Sequence, residues 1–241
     1  MGQNSKIEWT NDTWNPWQGC ARVSPGCREC YMFRDKARYK QDPKVVVRSK
    51  PATFNAPLKK LKGPLVFTCS WSDFFIEDAD EWRPEAWDII RRTPHLTYQI
   101  LTKRSENILS RLPADWGEGW PNVWLGVSVE SHRFLWRVSE LANIPASLRW
   151  VSYEPALEYV DFRSQMYWGA IDWLVSGGES GPEKKTRPAD VDWFLQVRDD
   201  CEGYGVPFFH KQHGGSSKLD GAWGGRELEG DMWSQFPKGF K

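Results

Sequence analysis

Histidine is scarce in this sequence: there are four, at positions 95, 132, 210 and 213, and none is followed two places later by glutamate. The His-x-Glu element of zinc nucleobase deaminases is therefore missing, and a metal-dependent hydrolase on a barrel lacks a convincing ligand set. Neither sign of charge is in excess. Lys plus Arg and Asp plus Glu number 32 each, so overall charge marks no nucleic-acid or membrane partner, although local basic patches are still allowed. No apolar run approaches the length that spans a bilayer, and Met1 to Glu8 is polar and unlike a signal peptide, so a cytoplasmic location without membrane contact is expected. The five cysteines are odd in number, and without a secretory pattern a disulfide framework is disfavoured.

What is present is a concentration of thiols. Three cysteines fall in Cys20-Ala-Arg-Val-Ser-Pro-Gly-Cys27-Arg-Glu-Cys30. Three thiolates can bind three irons of a [4Fe-4S] cluster and leave the fourth open to a chelating small molecule. Pro25-Gly26 is turn-forming, and the pattern predicts a basic helix over Arg28–Lys40 with Cys27 and Cys30 at its N-terminal end, where the dipole favours thiolate. A structural zinc site of three cysteines and one histidine competes for the same spacing. Cys69 and Cys201 read as core residues in a strand and a helix. Tryptophan is abundant, with 16 residues. Ordinary packing accounts for most of them, while Trp9, Trp14, Trp17 and Trp71 are placed to shield a cluster or stack on a flat substrate.

A strand is predicted at Ile7–Thr10, and an irregular or weakly helical connection over Asp42–Gly63. Short apolar segments then recur at Leu65–Cys69, Thr97–Leu101, Val123–Val127, Arg149–Ser152, Ile171–Val175 and Val206–Phe209. Between most of them lie stretches of helical length: Pro84–Arg92, Ser105–Leu112, His132–Ala142 and Asp190–Cys201. Such alternation predicts an α/β fold with parallel strands and right-handed crossovers. The strand ends carry Ser70, Ser72 and Asp73, then Lys103 and Arg104, Ser128 and Glu130, Ser152 and Glu154, Glu179 after Gly177-Gly178, and His210 to His213. Ligands bind at such ends, so the recurrence marks a site, even though Ser105, Ser131 and Asp190 are also placed to cap helices.

Several runs together carry a resemblance: Ile7-Glu-Trp-Thr, Trp14-Asn-Pro, Gly19-Cys20, Val23-Ser-Pro-Gly-Cys27, Cys30-Tyr31, Leu101-Thr-Lys-Arg104, Leu125-Gly-Val-Ser-Val-Glu130, Ser152-Tyr-Glu-Pro155, Ser176-Gly-Gly-Glu-Ser-Gly181 and Lys211-Gln212. The chain resembles a bacteriophage-associated three-Cys-motif family that looks like divergent radical S-adenosylmethionine (radical SAM) enzymes. The resemblance implies a partial (β/α)6 TIM-like barrel over residues 1–213; the Gly-rich tail at residues 214–241, with Trp223, Trp233 and Phe236, reads either as a lid over the barrel mouth or as a contact with a second copy. It implies that Cys20, Cys27 and Cys30 bind the [4Fe-4S] cluster, although their spacing of six then two residues departs from the superfamily's three then two. Gly177-Gly-Glu179 also departs, since it follows a late strand.

By position, Ser70, Ser72 and Asp73 would then meet S-adenosyl-L-methionine, with Asp73 facing its ammonium, and Ser128 and Glu130 would take its ribose or methionine groups. Glu154, Glu179 and Lys103 would serve the substrate, and Arg104 and Lys211 a carboxylate or phosphate. The implied reaction is reductive cleavage of S-adenosylmethionine to a 5′-deoxyadenosyl radical, fed by an electron donor such as flavodoxin or ferredoxin. The implied substrate is a modified pyrimidine base or nucleotide of phage DNA, rearranged in the host cytoplasm. Arg34, Lys36, Arg38, Lys40, Lys44, Arg48 and Lys50 could track its phosphates or form a solvated face. The competing reading is a non-enzymatic nucleic-acid-binding protein with a structural zinc or iron–sulfur site.

Overall fold

A computed structural model describes residues 2–182, 184–216, 218–219 and 222–240. The chain is mixed α/β and divides into two compact units interleaved in sequence. Met1–Val23, Tyr31–Gly126 and Ile144–Leu148 make the first; Ser24–Cys30, Val127–Asn143 and Arg149–Lys241 make the second.

In the first unit the elements run β1 (Asp12–Trp14), β2 (Trp17–Gln18), α1 (Tyr31–Arg38), β3 (Val47–Arg48), α2 (Pro51–Phe54), β4 (Leu65–Thr68), α3 (Arg83–Arg92) and β5 (Thr97–Thr102), and β6 (Val123–Ser128) begins there. β4 is parallel to β1 on one side and β5 on the other, while β2 and β3 form a small antiparallel pair. The register puts Trp14, Thr68 and Tyr98 on one face, where Trp14 meets Tyr98 and Phe54 edge-on. Phe67 and Gln99 point the other way, against Trp9.

A strand was expected at Ile7–Thr10, but the structure has a turn there, closed by Thr10 N–H donating to Ile7 O at 3.2 Å. The Thr10 hydroxyl lies against the carbonyls of Asp12 and Leu65 and accepts from Phe67 N–H, occupying the place of a ladder bond, so pairing starts at Asp12. α1 is shorter than Arg28–Lys40: a 3-10 turn at Pro25–Cys27 precedes it, and Lys40 turns into the left-handed region at φ +54°. The helix predicted at Ser105–Leu112 is two 3-10 turns, Ser105–Asn107 and Leu109–Arg111, stopped by Pro113. Cys69 is buried as expected but lies just beyond β4, at φ +65°.

The second unit continues with α4 (Trp136–Ala142), β7 (Leu148–Tyr153), α5 (Arg163–Tyr167), β8 (Trp173–Gly177), α6 (Val191–Tyr204) and β9 (Phe208–Gln212), then β10 (Lys218–Leu219), β11 (Ala222–Trp223), β12 (Glu227–Leu228) and β13 (Asp231–Met232). A 3-10 turn at His132–Phe134 precedes α4, and neither Ser105 nor Ser131 caps with its side chain. Asp190 does cap α6, accepting from Asp192 N–H at 3.0 Å.

β7, β8 and β9 are parallel neighbours. Their register sends Tyr153, Ser176 and His210 to one face, where Phe194 of α6 meets the rings of Tyr153 and His210. Trp150, Trp173, Val175 and Phe209 take the opposite face. There the tail packs: Phe236 stacks on Trp173 at 5.6 Å and meets Phe209 at 5.5 Å. Residues 233–235 run antiparallel along β9, with His210 N–H donating to Trp233 O and Gln235 N–H to Phe208 O. This part of the tail therefore covers a sheet edge and the starts of strands, not their C-terminal ends. Residues 217, 220, 221 and 241 of the tail lie outside the described residues.

The large sheet has seven strands in the order β1-β4-β5-β6-β7-β8-β9. The order is sequential with no switch point, as in a partial (β/α) barrel and unlike a doubly wound sheet. It holds one strand more than the six of the implied barrel, the seventh being β1, which lies beyond the strand expected at Ile7–Thr10.

Candidate metal centre

Cys20 belongs to the first unit. Gly19 before it adopts φ +105°, and a Cβ there would lie 2.3 Å from Val45 O, so the chain passes Val45 only as glycine. Cys20 N–H donates to Pro43 O at 2.9 Å, Gly19 N–H to Trp71 O at 3.0 Å, and the Ser72 hydroxyl to Gly19 O at 2.5 Å. The strand-end residues then converge on the thiol. Arg104 is buried; its Nη1 lies 3.6 Å from Cys20 Sγ and 3.2 Å from Asp73 Oδ2, and its Nη2 donates to Ala21 O at 3.1 Å. Burial works against the Arg104 charge, yet Asp73 and Cys20 beside it hold its pKa above the usual arginine value.

Asp73 is anchored in turn. Its Oδ1 accepts from the Thr102 hydroxyl at 2.7 Å and from Phe75 N–H at 3.0 Å; its Oδ2 accepts from Lys103 N–H as well as Arg104. These four bonds occupy both oxygens and the last of them holds Arg104, so the arrangement presents Asp73 as an anchor for the cysteine loop. Lys103 takes part through its backbone, with its side chain half-buried. Ser70 exchanges hydrogen bonds with the Asn15 side chain, which also accepts from Trp71 N–H. Trp14 and Trp17 lie in the core, donating from their indoles to the carbonyls of Phe54 and Asp73, and Trp9 is buried against Phe67.

Cys27 and Cys30 belong to the second unit. Cys27 closes the 3-10 turn and Cys30 immediately precedes Tyr31, the first residue of α1, with Cys30 N–H donating to Cys27 O at 3.5 Å. Ser24 Oγ lies 3.7 Å from Cys27 Sγ. Glu130 is fully buried, takes Arg137 Nη1 at 2.9 Å, and lies against Gly26: a Cβ there would sit 3.0 Å from Glu130 Oε1. The same guanidinium donates to Ser128 O at 2.8 Å.

Glu179, also buried, is held by the backbone N–H, Nε and Nη2 of Arg187, and that Nη2 reaches Pro25 O at 3.0 Å. Arg28 donates to Lys185 O at 2.7 Å. The loop after β8 thus fastens the cysteine turn from both sides. Glu179 therefore meets an arginine of its own loop where a substrate contact was expected. Glu154 does reach outward: Lys211 Nζ is 2.6 Å from its Oε1, and the side chains are 20% and 26% exposed.

Three further groups form a chain on the α6 side. Ser176 Oγ lies 2.8 Å from His210 Nδ1, His210 Nε2 lies 3.1 Å from His213 Nδ1, and His213 Nε2 lies 2.9 Å from Glu227 O. Because a carbonyl only accepts, His213 carries its proton on Nε2, His210 on Nε2, and the Ser176 hydroxyl donates. Burial lowers the pKa of both histidines, that of His210 furthest, so the chain is neutral. Sequence reading overlooked Arg187, Arg137 and Asn15; Arg187 ends the run Lys184-Lys185-Thr186-Arg187, which carries no periodicity to betray it.

Residues 4–237 match a family model described as Protein of unknown function (DUF5131). The chain belongs to that family. No curated protein and no solved structure matches it. Among the described residues, no three His, Cys, Asp or Glu side chains are gathered at a single-ion site, and no helix is long and apolar enough to cross a membrane.

Proposed function

We propose that the chain is a radical SAM enzyme that holds a [4Fe-4S] cluster through Cys20, Cys27 and Cys30. The contrast among its five thiols carries the reading. Cys69 and Cys201 are buried, and burial raises both thiols well above their ordinary range. Cys20 instead is half-buried beside a buried guanidinium, and Cys27, itself buried, and half-buried Cys30 sit on a turn held by Arg187 and Arg28 and packed against Glu130. Three soft sulfur donors on one short loop, one of them beside a guanidinium, suit an iron–sulfur centre. When bound, that centre supplies the electron that splits the sulfonium of S-adenosylmethionine, releasing methionine and a 5′-deoxyadenosyl radical.

The chain's own residues divide the remaining work. Ser72, Asp73 and Arg104 position the Cys20 loop, while Glu130, Glu179 and Arg187 position the Cys27 turn. Ser70 and Ser128, at the ends of β4 and β6, serve the polar groups of S-adenosylmethionine. Glu154 and Lys211 form a part-exposed ion pair placed to meet the substrate. The proposed substrate is a modified pyrimidine of phage DNA, the reaction an isomerisation such as rearrangement of an amino-acid adduct on a thymine methyl group.

Anaerobic purification with iron and sulfide analysis, then electron paramagnetic resonance of the reduced protein, tests the chemistry. A four-iron signal that shifts on adding S-adenosylmethionine supports it; bound zinc, or a cluster indifferent to the cofactor, overturns it. Hydrolysed DNA from a phage lacking this gene should show an unconverted base by mass spectrometry, and an unchanged nucleoside profile would remove DNA as the substrate.

A further inference from the structure

The surface around Cys20 combines charge and apolar area in a way the cysteine loop itself does not require. Residues 34–50 carry seven Lys or Arg against two Asp, a net of +5 in a chain whose total is zero. Lys36 is buried and Arg48 pairs with Glu85, while Arg38, Lys40, Lys44 and Lys50 are exposed. Among the described residues of the first unit, three of the six exposed large hydrophobic side chains fall in that stretch, Tyr39 at 66%, Val45 at 54% and Val47 at 43%, and Val23 and Tyr31 precede it in the chain.

The segment is fastened to the backbone of the Cys20 loop. Pro43 O receives Cys20 N–H, Val45 O closes on Gly19, Val47 pairs with Gln18, and Arg22 stacks on Phe33 of α1 at 4.4 Å. Apolar side chains interspersed with lysine and arginine are the make-up of a small, transient protein interface, with an apolar centre and charged rim. A phosphate backbone would satisfy the cations but leave Tyr39, Val45 and Val47 facing nothing that buries them.

We propose that this face docks an acidic single-electron carrier protein, bearing a low-potential flavin or iron–sulfur centre, beside Cys20. The proposal rests on the cluster reading above. The transfer moves one electron and no atoms: the carrier is oxidised by one electron and the thiol-bound centre is reduced by one. Redox encounters of this kind bury little area, under about 1,200 Å², and draw their rate and selectivity from charge.

The test uses oxidised flavodoxin as the probe and the full chain as purified, with binding measured by calorimetry in low and high salt. The quadruple variant R38E/K40E/K44E/K50E should bind flavodoxin at least about tenfold more weakly, and high salt should weaken the wild type by a similar factor. V45S/V47S, which leaves the charge intact, should weaken binding severalfold and keep the salt dependence. Unchanged thermal melting shows that each variant is folded. In cluster-loaded protein the charge variant should be reduced about tenfold more slowly by flavodoxin hydroquinone and at the wild-type rate by dithionite.

Absence of wild-type affinity for flavodoxin, or an affinity that the charge variant retains, overturns the proposal. So does binding of a short DNA duplex, lost in the charge variant, with no flavodoxin binding. Absence of iron in the purified protein would overturn the cluster reading instead, and the binding measurement does not depend on iron.

Discussion

Replacing Arg104 by methionine keeps the length and apolar stem of the side chain and removes its charge. The guanidinium and the Asp73 carboxylate are both almost wholly buried and lie 3.2 Å apart. Removing one partner of a buried pair costs about 3–5 kcal/mol, because the other charge is left without compensation. Asp73 keeps the Thr102 hydroxyl and the N–H groups of Phe75 and Lys103, so the loss should fall at the lower end, about 3 kcal/mol. In a chain of this size that is a fall of about 6–12 °C in melting temperature. Urea unfolding of metal-free protein measures it directly, and about 0.5 M salt should recover little, since screening barely reaches a buried pair. Asp73→Asn alone should also destabilise, and R104M/D73N should cost less than the two single changes together. A loss under about 1 kcal/mol, or strict additivity in the double variant, would refute the anchoring role.

The neutral Ser176–His210–His213 chain makes stability depend on pH. Burial depresses both histidine pKa values below the ordinary 6.5, so as pH falls below that value the unfolded chain takes up protons that the folded chain refuses. Stability is complete above pH 6.5 and falls below it by at most about 1.4 kcal/mol per pH unit for each histidine. Urea midpoints that are flat between pH 7.5 and pH 5.5 would count against this, and H210Q should lessen the slope. Gly178→Ala would place a Cβ 1.8 Å from His213 O, a backbone atom with no room to move aside, so the variant should lose more than about 3 kcal/mol or accumulate insoluble. Phe236→Ala removes a half-buried ring from Trp173 and Phe209 and should cost about 2 kcal/mol, read by the same unfolding assay.

The parallel strands were legible because each is an apolar run that needs no distant partner to be recognised. β4, β5 and β6 lie within one residue of their sequence-read limits, and β7 and β8 within two. β1 was misplaced because Thr10 bonds across to Leu65, a contact 55 residues away that no local pattern encodes. The second half of the sheet shows the same limit at its ends, where Gly177 and Lys211 continue strands that polar residues seemed to close. The polar strand ends were recognised as a set, but their pairing was not. Asp73 and Arg104 lie 31 residues apart, and Arg187 and Pro25 lie 162 apart. Only folding shows that Asp73 and Glu179 spend their charge on neighbouring arginines.

The antiparallel run of residues 233–235 along β9 bears on how the protein is made. Trp173 finds the acceptor for its indole at Gln235 O, 62 residues further along the chain, and β9 gains its outer partner from the same residues. During synthesis at about 5–20 residues per second, β8 and β9 emerge with that edge bare. That strand pairing of the second unit must then wait until residues 233–235 have been made. A ribosome that stalls before residue 233 would release a chain whose β9 edge is open to another molecule's strand.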